Sequence, residues 1–265
     1  TVTVTDLVSL EKHCGAVLVK TIIENTAEDH RLRVIFPTRR DAEHSFADTP
    51  FAIVEREIQI PEHTAIWQER INEEKPFTSF CGCADSQGGL AVVSPAGLHE
   101  YAVLPTAARE LAVTLLRAFG KTVGKPREKD GQLKGSLCLE YAIVPFSGTP
   151  QPRTLLNLAS RLQTPVRVHA TAERPTPKSF LSVRHGKAVI TAIKPSTDGK
   201  GGIVRFWNPT SEAIEDEFVI ARPVTSAYYC NLNEEPGEAI EYAGASIPVR
   251  LAPGGLGTIS FTWQD

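Results

Sequence analysis

The sequence has no uninterrupted apolar run long enough to cross a bilayer and no excess of positive charge. A membrane-spanning helix needs about 20 consecutive, mostly apolar residues, so a membrane-inserted protein is not expected. The 265 residues contain 28 lysines and arginines against 31 aspartates and glutamates, for a net charge of −3. Because no positive field would attract a polyanion, we do not expect a nucleic-acid partner.

Cysteine is also scarce, and its pattern is irregular. The number of cysteines is odd and they are scattered, whereas disulfide-stapled secreted domains are shorter and richer in cysteine. They are Cys14, Cys81, Cys83, Cys138 and Cys230. No signal-peptide pattern opens the chain, and no Asn-X-Ser/Thr glycosylation acceptor occurs, because Asn208 is followed by Pro209. We therefore predict reduced thiols and a cytoplasmic location.

The chain lacks an initiator methionine, and its first residues, T-V-T-V-T, already alternate in the manner of a β-strand. A chain that opens in mid-strand is expected to be a piece of a longer protein. Since domains usually contain about 100–200 residues, the length predicts two domains.

Period-2 alternation and β-branched residues recur along most of the sequence and predict an antiparallel, all-β protein. Turns that contain glycine and proline separate the alternating segments. The predicted strands are residues 1–10, 16–24, 31–36, 51–60, 90–94, 101–104, 110–117, 137–144, 188–193, 203–207, 217–221, 246–251 and 258–263.

A short helix and a domain boundary complete the predicted fold. Leucines recur at helical spacing over residues 153–162. The segment E-R-P-T-P at residues 173–177 opposes both helix and central strand, so we place the boundary there. The prediction is a large, curved antiparallel β-sandwich over residues 1–172, of the supersandwich, galactose-mutarotase-like type. A smaller C-terminal β-sandwich follows over residues 173–265.

Motifs that carry chemistry are largely absent. Metal sites need several histidines, cysteines or carboxylates at short, regular spacing. Cys81 and Cys83 place two thiols on one strand face, but no second pair and no nearby histidine completes a set of four ligands. We therefore predict two ordinary thiols and no metal. The sequence also lacks a nucleophile elbow, a P-loop and a dinucleotide-binding glycine motif.

A few polar residues are candidates for a site. His99 and Glu100 could supply a general base, and Arg31 and Arg33 share one face of a predicted strand. Each candidate has an ordinary structural alternative. The histidine could be hydrogen-bonded within the fold, and the arginines could lie on a solvated sheet face or form interdomain ion pairs.

Residues 25–36 read N-T-A-E-D-H-R-L-R-V-I-F, which is an unusual string. It resembles the N-x-x-x-D-H-R-L-R-V-x-F signature in the C-terminal β region of bacterial glycoside hydrolase family 38 α-mannosidases. Other segments are similar to that region in the same order, along nearly the whole chain. They are A-V-V-S-P-A-G-L-H-E-Y at 91–101, T-L-L-R at 114–117, L-E-Y-A-I-V-P at 139–145, F-L-S-V at 180–183, V-R-F-W-N-P at 204–209 and N-L-N-E-E at 231–235.

The resemblance implies an accessory part of an enzyme. The family hydrolyses α-mannosides with retention, using a zinc ion and an aspartate nucleophile on an N-terminal α/β barrel. Its His-X-Asp zinc pair matches no position here. We therefore expect no cofactor in this chain, with zinc in the catalytic domain. That domain of the same chain is the expected partner, an α-mannoside is the expected substrate, and the chain by itself is expected to be inactive.

The resemblance also implies a role for Arg117, because a β-domain arginine approaches the substrate cleft in the family and strand order makes Arg117 the candidate. Strict alternation places it at the sheet rim, on one strand face with the apolar residues before it. These are Leu111, Val113 and Leu115. The structural alternative is an ion pair with Glu110 or with a neighbouring strand.

Two other functions stay open: a stand-alone carbohydrate-binding module, and a protein-interaction or homo-oligomerisation sandwich. Coplanar aromatic rings exposed in a groove would favour carbohydrate binding. Trp207 and Trp263 lie on late strands, but their apolar neighbours favour core packing over sugar stacking. A broad apolar patch would favour an accessory region that packs on a partner.

Overall fold

The computed structural model describes residues 1–69, 71–95, 98, 100–122, 125–126, 129–164, 166–172 and 178–264. The chain divides into two compact units, Thr1–Val166 and Arg167–Asp265. Residues 173–177, where the domain boundary is predicted, lie outside the described residues, so the division at residue 172 stays a prediction. Both units consist mainly of antiparallel sheets, and the predicted all-β fold is confirmed.

The large unit, Thr1–Val166, is built from strands with one α-helix near its end. Its strands are β1 Val2–Leu10, β2 Val17–Asn25, β3 His30–Pro37, β4 His44–Thr49, β5 Ala52–Glu57, β6 Lys75–Pro76, β7 Phe80–Asp85, β8 Gly88–Val93, β9 Glu100–Val103, β10 Glu110–Ala118, β11 Lys121–Thr122, β12 Lys125–Pro126 and β13 Gly135–Ser147. Short 3-10 helices occupy Glu62–Ile66 and Lys129–Gln132, and the helix α1 is Pro152–Gln163.

Two sheets dominate the large unit. A seven-stranded sheet has the order β1-β2-β13-β8-β7-β4-β5, and a four-stranded sheet has the order β3-β10-β9-β6. Strands β11 and β12 form a separate two-stranded ribbon. Buried apolar side chains from both main sheets form one core cluster, which includes Ile23, Val92, Tyr101, Leu111 and Val113. The two sheets therefore pack face to face as a sandwich.

The helix α1 covers the opposite face of the seven-stranded sheet. Leu155 and Ala159 lie one turn apart, and both are buried in a second core cluster with Phe46, Phe80 and Val144. Proline at the first helical position is compatible with a helix start, because its missing N–H would have no intrahelical acceptor there. In the part of the chain that the structure describes, no helix is long and apolar enough to cross a membrane.

Strand β4 was not predicted, and β7 was anticipated only at the C-G-C motif. The burial of both strands explains why their signal is weak. The central strands of the seven-stranded sheet are buried on both faces, by the second sheet on one side and by α1 on the other. A strand buried on both faces has no apolar–polar alternation to detect. In β7 the C-G-C motif consequently has a structural role: Cys81 and Cys83 are fully buried in the core between the sheets.

Gly82 leaves room for its neighbours on the other face of β7. A Cβ atom at this position would overlap the Leu90 carbonyl oxygen and lie 2.7 Å from Cζ of Phe46. We expect Gly82→Ala to lower the free energy of unfolding of the large unit by about 1–3 kcal/mol, as overpacking of a core does.

Urea unfolding followed by circular dichroism measures this change. Gly15→Ala is the matched control, because nothing lies within 4 Å of a Cβ atom there. Equal stability of the two variants would contradict the packing role of Gly82.

The small unit, Arg167–Asp265, consists of two facing sheets. Its strands are β14 Leu181–Val183, β15 Val189–Pro195, β16 Gly201–Trp207, β17 Ile214–Ile220, β18 Val224–Cys230, β19 Pro236–Ala239, β20 Ser246–Leu251 and β21 Leu256–Trp263. The sheet orders are β14-β17-β20 and β15-β16-β21-β18-β19. One core cluster joins them, with the rings of Phe206 and Phe218 packed edge to face at 4.9 Å. Trp207 is buried and Trp263 packs against this core, as predicted.

A buried carboxylate fixes the chain between β14 and β15. Asp216 is only 4% exposed, and its two oxygens accept four backbone N–H groups. The donors are the amides of His185, Lys187, Ala188 and Glu217. Burial by itself would raise the pKa of Asp216, but these hydrogen bonds outweigh it and hold the pKa below its ordinary value.

Candidate functional site

The outer face of the four-stranded sheet carries a cluster of charged side chains. Leu32, Val34 and Phe36 of β3 pack against the core, so the residues between them face outward. The strand β10 pairs with β3 so that Arg117 lies opposite Arg31. We define the arginine–glutamate cluster as Arg31, Arg33, Glu74, Glu100 and Arg117.

A β-bulge in β10 determines which way Arg117 faces. The pairing with β3 shifts between Thr114 and Leu116, which leaves Leu115 as an extra residue. One extra residue reverses the side-chain alternation beyond it. Leu116 therefore lies in the core, whereas Arg117 lies on the outer face with Thr114. The predicted placement of Arg117 on one face with Leu111 and Val113 is wrong for this reason.

Glu100 is the carboxylate that connects β9 to β10. It accepts a hydrogen bond of 2.8 Å from the Thr114 hydroxyl and one of 3.3 Å from Nη1 of Arg117. Nη1 of Arg31 lies 3.5 Å from Oε1 of the same carboxylate. Glu100 thereby holds arginines of two different strands at one place on the sheet.

Glu74 occupies the other end of the cluster, just before β6. Nη1 of Arg31 donates a short hydrogen bond to Oε1 of Glu74, and Nη1 of Arg33 lies 3.7 Å from the same oxygen. Burial alone would raise the pKa of Glu74, but the bond from Arg31 and the charges of both arginines lower it below its ordinary value. Glu74 is therefore ionised near neutral pH.

Arg117 is the most accessible cation of the cluster. Its side chain is 63% exposed, whereas those of Arg31 and Arg33 are 36% and 24% exposed. Three guanidinium groups meet two carboxylates, so the cluster keeps an excess of one positive charge. The guanidinium of Arg117 can thus bind an external acceptor while Arg31 and Arg33 neutralise the glutamates.

A shallow surface depression of about 460 Å³ borders Arg117. Cζ of Arg117 lies 5.6 Å from the ring centre of Phe119, which also lines the depression. Asp29 fixes the local backbone, because its Oδ1 accepts the N–H of Gly120 and an amide N–H of Gln132, each at 2.9 Å. A guanidinium beside an aromatic ring offers both hydrogen-bond donors and an apolar surface, which suits a sugar or a carboxylate.

The structure brings together four of the five residues proposed from the sequence: Arg31, Arg33, Glu100 and Arg117. His99 lies outside the described residues. The suggested partner Glu110 accepts a hydrogen bond of 3.0 Å from Thr106. Arg117 instead pairs with Glu100 of the neighbouring strand β9, as the structural alternative allowed. Glu74 was missed, because it lies in a loop segment without periodicity next to a strand of two residues.

Two family models match the sequence. Residues 1–124 match the "Glycosyl hydrolases family 38 C-terminal domain", and residues 187–254 match the "Glycosyl hydrolases family 38 C-terminal beta sandwich domain". Together these matches span well over half of the chain, in the order that the resemblance predicted. The chain belongs to the C-terminal region of glycosyl hydrolase family 38.

Longer proteins contain regions similar to this family 38 chain. It is 27% identical over 248 residues to a Halalkalibacterium halodurans protein named "Putative mannosylglycerate hydrolase", with 91% of this chain and 27% of that protein covered. An alpha-mannosidase structure from Enterococcus faecalis V583 superimposes with a TM-score of 0.81 at 26% identity, covering 98% of this chain and 29% of that one. A second E. faecalis structure, of a protein in glycosyl hydrolase family 38, has a TM-score of 0.78 at 26% identity, with coverages of 98% and 30%.

The family 38 chain thus spans less than a third of each of these relatives. Its matched domains are C-terminal ones, and they are β-domains in this structure. The accessory position that the sequence predicted is consistent with this coverage.

The zinc ion that the family resemblance implies does not fit the described part of this family 38 chain. No three histidine, cysteine, aspartate or glutamate side chains within that part are placed to hold a metal. Burial raises the pKa of the Cys81 thiol well above its ordinary value and also raises that of Cys83. Cys81 and Cys83 lie in the core, and no third ligand side chain is placed beside them in the described residues, so the C-G-C motif does not fit a zinc site.

Proposed function

We propose that this chain is the accessory β region of a longer enzyme that hydrolyses α-mannosides with retention, and that zinc and the nucleophile belong to another domain of that enzyme. The main support is the match of 98% of this chain to 29% of an alpha-mannosidase. The described part of this region contains no metal-ligand group. The region is therefore suited to support and close a catalytic domain rather than to perform the hydrolysis itself.

An exposed apolar strand supports packing against the rest of such an enzyme. The strand β1 forms one edge of the seven-stranded sheet, so one side of its backbone has no strand partner in that sheet. Its exposed apolar side chains range from 43% exposure at Val4 to 74% at Leu10, with Leu7 and Val8 between them. Exposed apolar edges are normally covered by another element.

We assign Arg117 the role of contributing to the substrate cleft from this accessory region. The excess positive charge of the arginine–glutamate cluster and the exposure of Arg117 support the assignment. Glu100 would then hold Arg117 in place, with Arg31 on the same carboxylate and Arg33 on Glu74. Arg117 would bind sugar hydroxyls or a carboxylate.

A second candidate substrate is an α-mannoside that carries a carboxylate. The H. halodurans relative is named for mannosylglycerate, and a guanidinium binds a carboxylate through two parallel hydrogen bonds. The two candidate substrates are separated by the kinetics of the longer enzyme on mannosylglycerate and on an uncharged aryl α-mannoside. Each rate is compared with that of an Arg117→Ala variant. A selective loss on mannosylglycerate supports the charged substrate, and equal losses support a general mannoside.

We expect the isolated chain to unfold cooperatively but to have no hydrolytic activity on aryl α-mannosides, with or without added zinc. Both units have their own apolar cores, whereas the described residues contain no group of three side chains placed to hold a metal. Release of the chromogenic aryl group, with thermal unfolding in parallel, measures both properties.

The matched control is the longer enzyme. Both proteins are purified from one host that lacks its own mannosidase. Metal-dependent turnover that stays with the isolated chain through further purification would overturn the proposal.

For the location of this chain we propose the cytoplasm, with the free state of all five cysteines as support.

A further inference from the structure

Two loops of the large unit meet at the end of β3. One follows β3 and contains Thr38 and Arg39, and the other joins β9 to β10 and contains Ala108 and Arg109. The Thr38 hydroxyl donates a hydrogen bond of 2.7 Å to the Arg109 carbonyl oxygen. The Arg39 N–H donates one of 2.8 Å to the Ala108 carbonyl oxygen. These two bonds hold Arg39 and Arg109 next to each other.

Both arginines have a backbone conformation that arginine rarely adopts. Their φ angles are +52° for Arg39 and +43° for Arg109, within the left-handed region. Arg109 also closes a turn, because its N–H donates to the Thr106 carbonyl oxygen at 3.0 Å. In hairpin loops of this kind glycine is the favoured residue at the left-handed position. An arginine there has a conformational cost, so its side chain is expected to have a function.

The side chains of the two arginines line a common surface depression of about 340 Å³, together with Arg40. Arg40 lies 3.7 Å from the Asp85 carboxylate. Within the described residues, by contrast, no carboxylate lies within 4.0 Å of Arg39 or Arg109, although Asp41 is part of the lining. The depression therefore has two guanidinium groups whose charge is not neutralised by direct contact.

We propose that this depression binds a small oxyanion, namely a phosphate or carboxylate group of a metabolite. Each guanidinium presents a planar set of N–H donors that matches two oxygens of such a group. Pro105 and Ala107 form an apolar part of the rim, where the organic portion of the ligand would lie.

Titration calorimetry of the 265-residue chain with inorganic phosphate and, separately, with acetate tests the site and distinguishes the two anions. The ionic strength is kept constant with chloride. We expect one of the anions to bind with one-to-one stoichiometry, and Arg109→Gly or Arg39→Gly to weaken that binding by at least about tenfold. Because glycine accepts a positive φ without strain, the same substitutions are expected to leave the Tm unchanged or to raise it.

Arg109→Gln is the second variant, since it keeps a polar side chain and removes the charge. Arg250→Gln in the small unit is the matched control. Arg250 is exposed and pairs with Glu215, so its substitution should not change anion binding. The proposal is overturned if neither anion binds more tightly than chloride, or if Arg109→Gln binds as well as the unchanged chain. A lower Tm of Arg109→Gly combined with unchanged binding by Arg109→Gln would assign Arg109 a purely structural role.

Discussion

Asp216→Ala is expected to lower the free energy of unfolding of the small unit by about 3–4 kcal/mol. The substitution removes an acceptor for four backbone N–H groups. The amide of Ala188 lies in a buried environment and would have no water to replace the carboxylate. Leaving buried donors unsatisfied costs more than the hydrogen bonds contributed, which is why a single carboxylate has so large an expected effect.

Chemical denaturation followed by tryptophan fluorescence measures this loss. Trp207 and Trp263 are two of the three tryptophans and both lie in the small unit, so fluorescence reports mainly on its unfolding. The matched control is Asp198→Ala, since the Asp198 carboxylate also accepts a backbone N–H, that of Lys200, but in an exposed turn. A loss for Asp216→Ala no larger than that of the control would contradict the role of Asp216.

The same carboxylate makes the small unit sensitive to acid. The pKa of Asp216 is lower in the folded chain than its ordinary value of 3.8, so the unfolded chain binds a proton more readily. Its stabilising contribution is full above the ordinary pKa and is lost as the pH falls through the lowered folded-state pKa. We expect the stability difference between the unchanged chain and Asp216→Asn to be constant above about pH 5 and to shrink as the pH falls from there to about pH 3. A constant difference over this range would be contrary to expectation.

Arg117→Ala, introduced into the longer enzyme, is expected to lower kcat/KM for an α-mannoside by at least about tenfold, which corresponds to ~1.4 kcal/mol of transition-state binding. The reason is the loss of the most exposed guanidinium of the arginine–glutamate cluster. Steady-state kinetics with separate kcat and KM values measure the effect. The melting temperature of the isolated chain should change little, because exposed ion pairs contribute little to stability.

Two further variants sharpen the test of Arg117. Arg250→Ala removes an exposed, ion-paired arginine of the small unit and should leave the kinetics unchanged. Arg117→Lys keeps the charge but loses the planar set of donors, so partial activity would separate charge from geometry. If Arg117→Ala unfolds the isolated chain and leaves the kinetics of the folded enzyme intact, Arg117 is an ion-pair residue and nothing more.

The sequence predicted the fold best where strands are buried on one face. The alternation in β2 and β3 is visible because one face meets the core and the other meets solvent or charged groups. The strands β4 and β7 lack that signal, since both of their faces are buried. The helix α1 was predicted within a residue at each end, because leucines mark its buried stripe.

The sequence predicted most residues of the candidate site but not their arrangement in space. Arg31 and Arg33 share a face, as their spacing of two residues on a strand requires. The pairing of Arg117 with Glu100 depends on the neighbouring strand and on the bulge at Leu115, and neither is encoded in local periodicity. Glu74 reaches the cluster from a loop, and only the tertiary fold brings it there.

The bulge at Leu115 absorbs one extra residue of β10 without disturbing the pairing beyond it, since Leu116 lies opposite Leu32 and Arg117 opposite Arg31. Deletion of Leu115 would give a regular strand with the same pairs. Leu116 would stay in the core and the guanidinium of Arg117 would stay on the outer face. Homologous chains that differ in length by a single residue here would therefore present the same arginine on the same sheet.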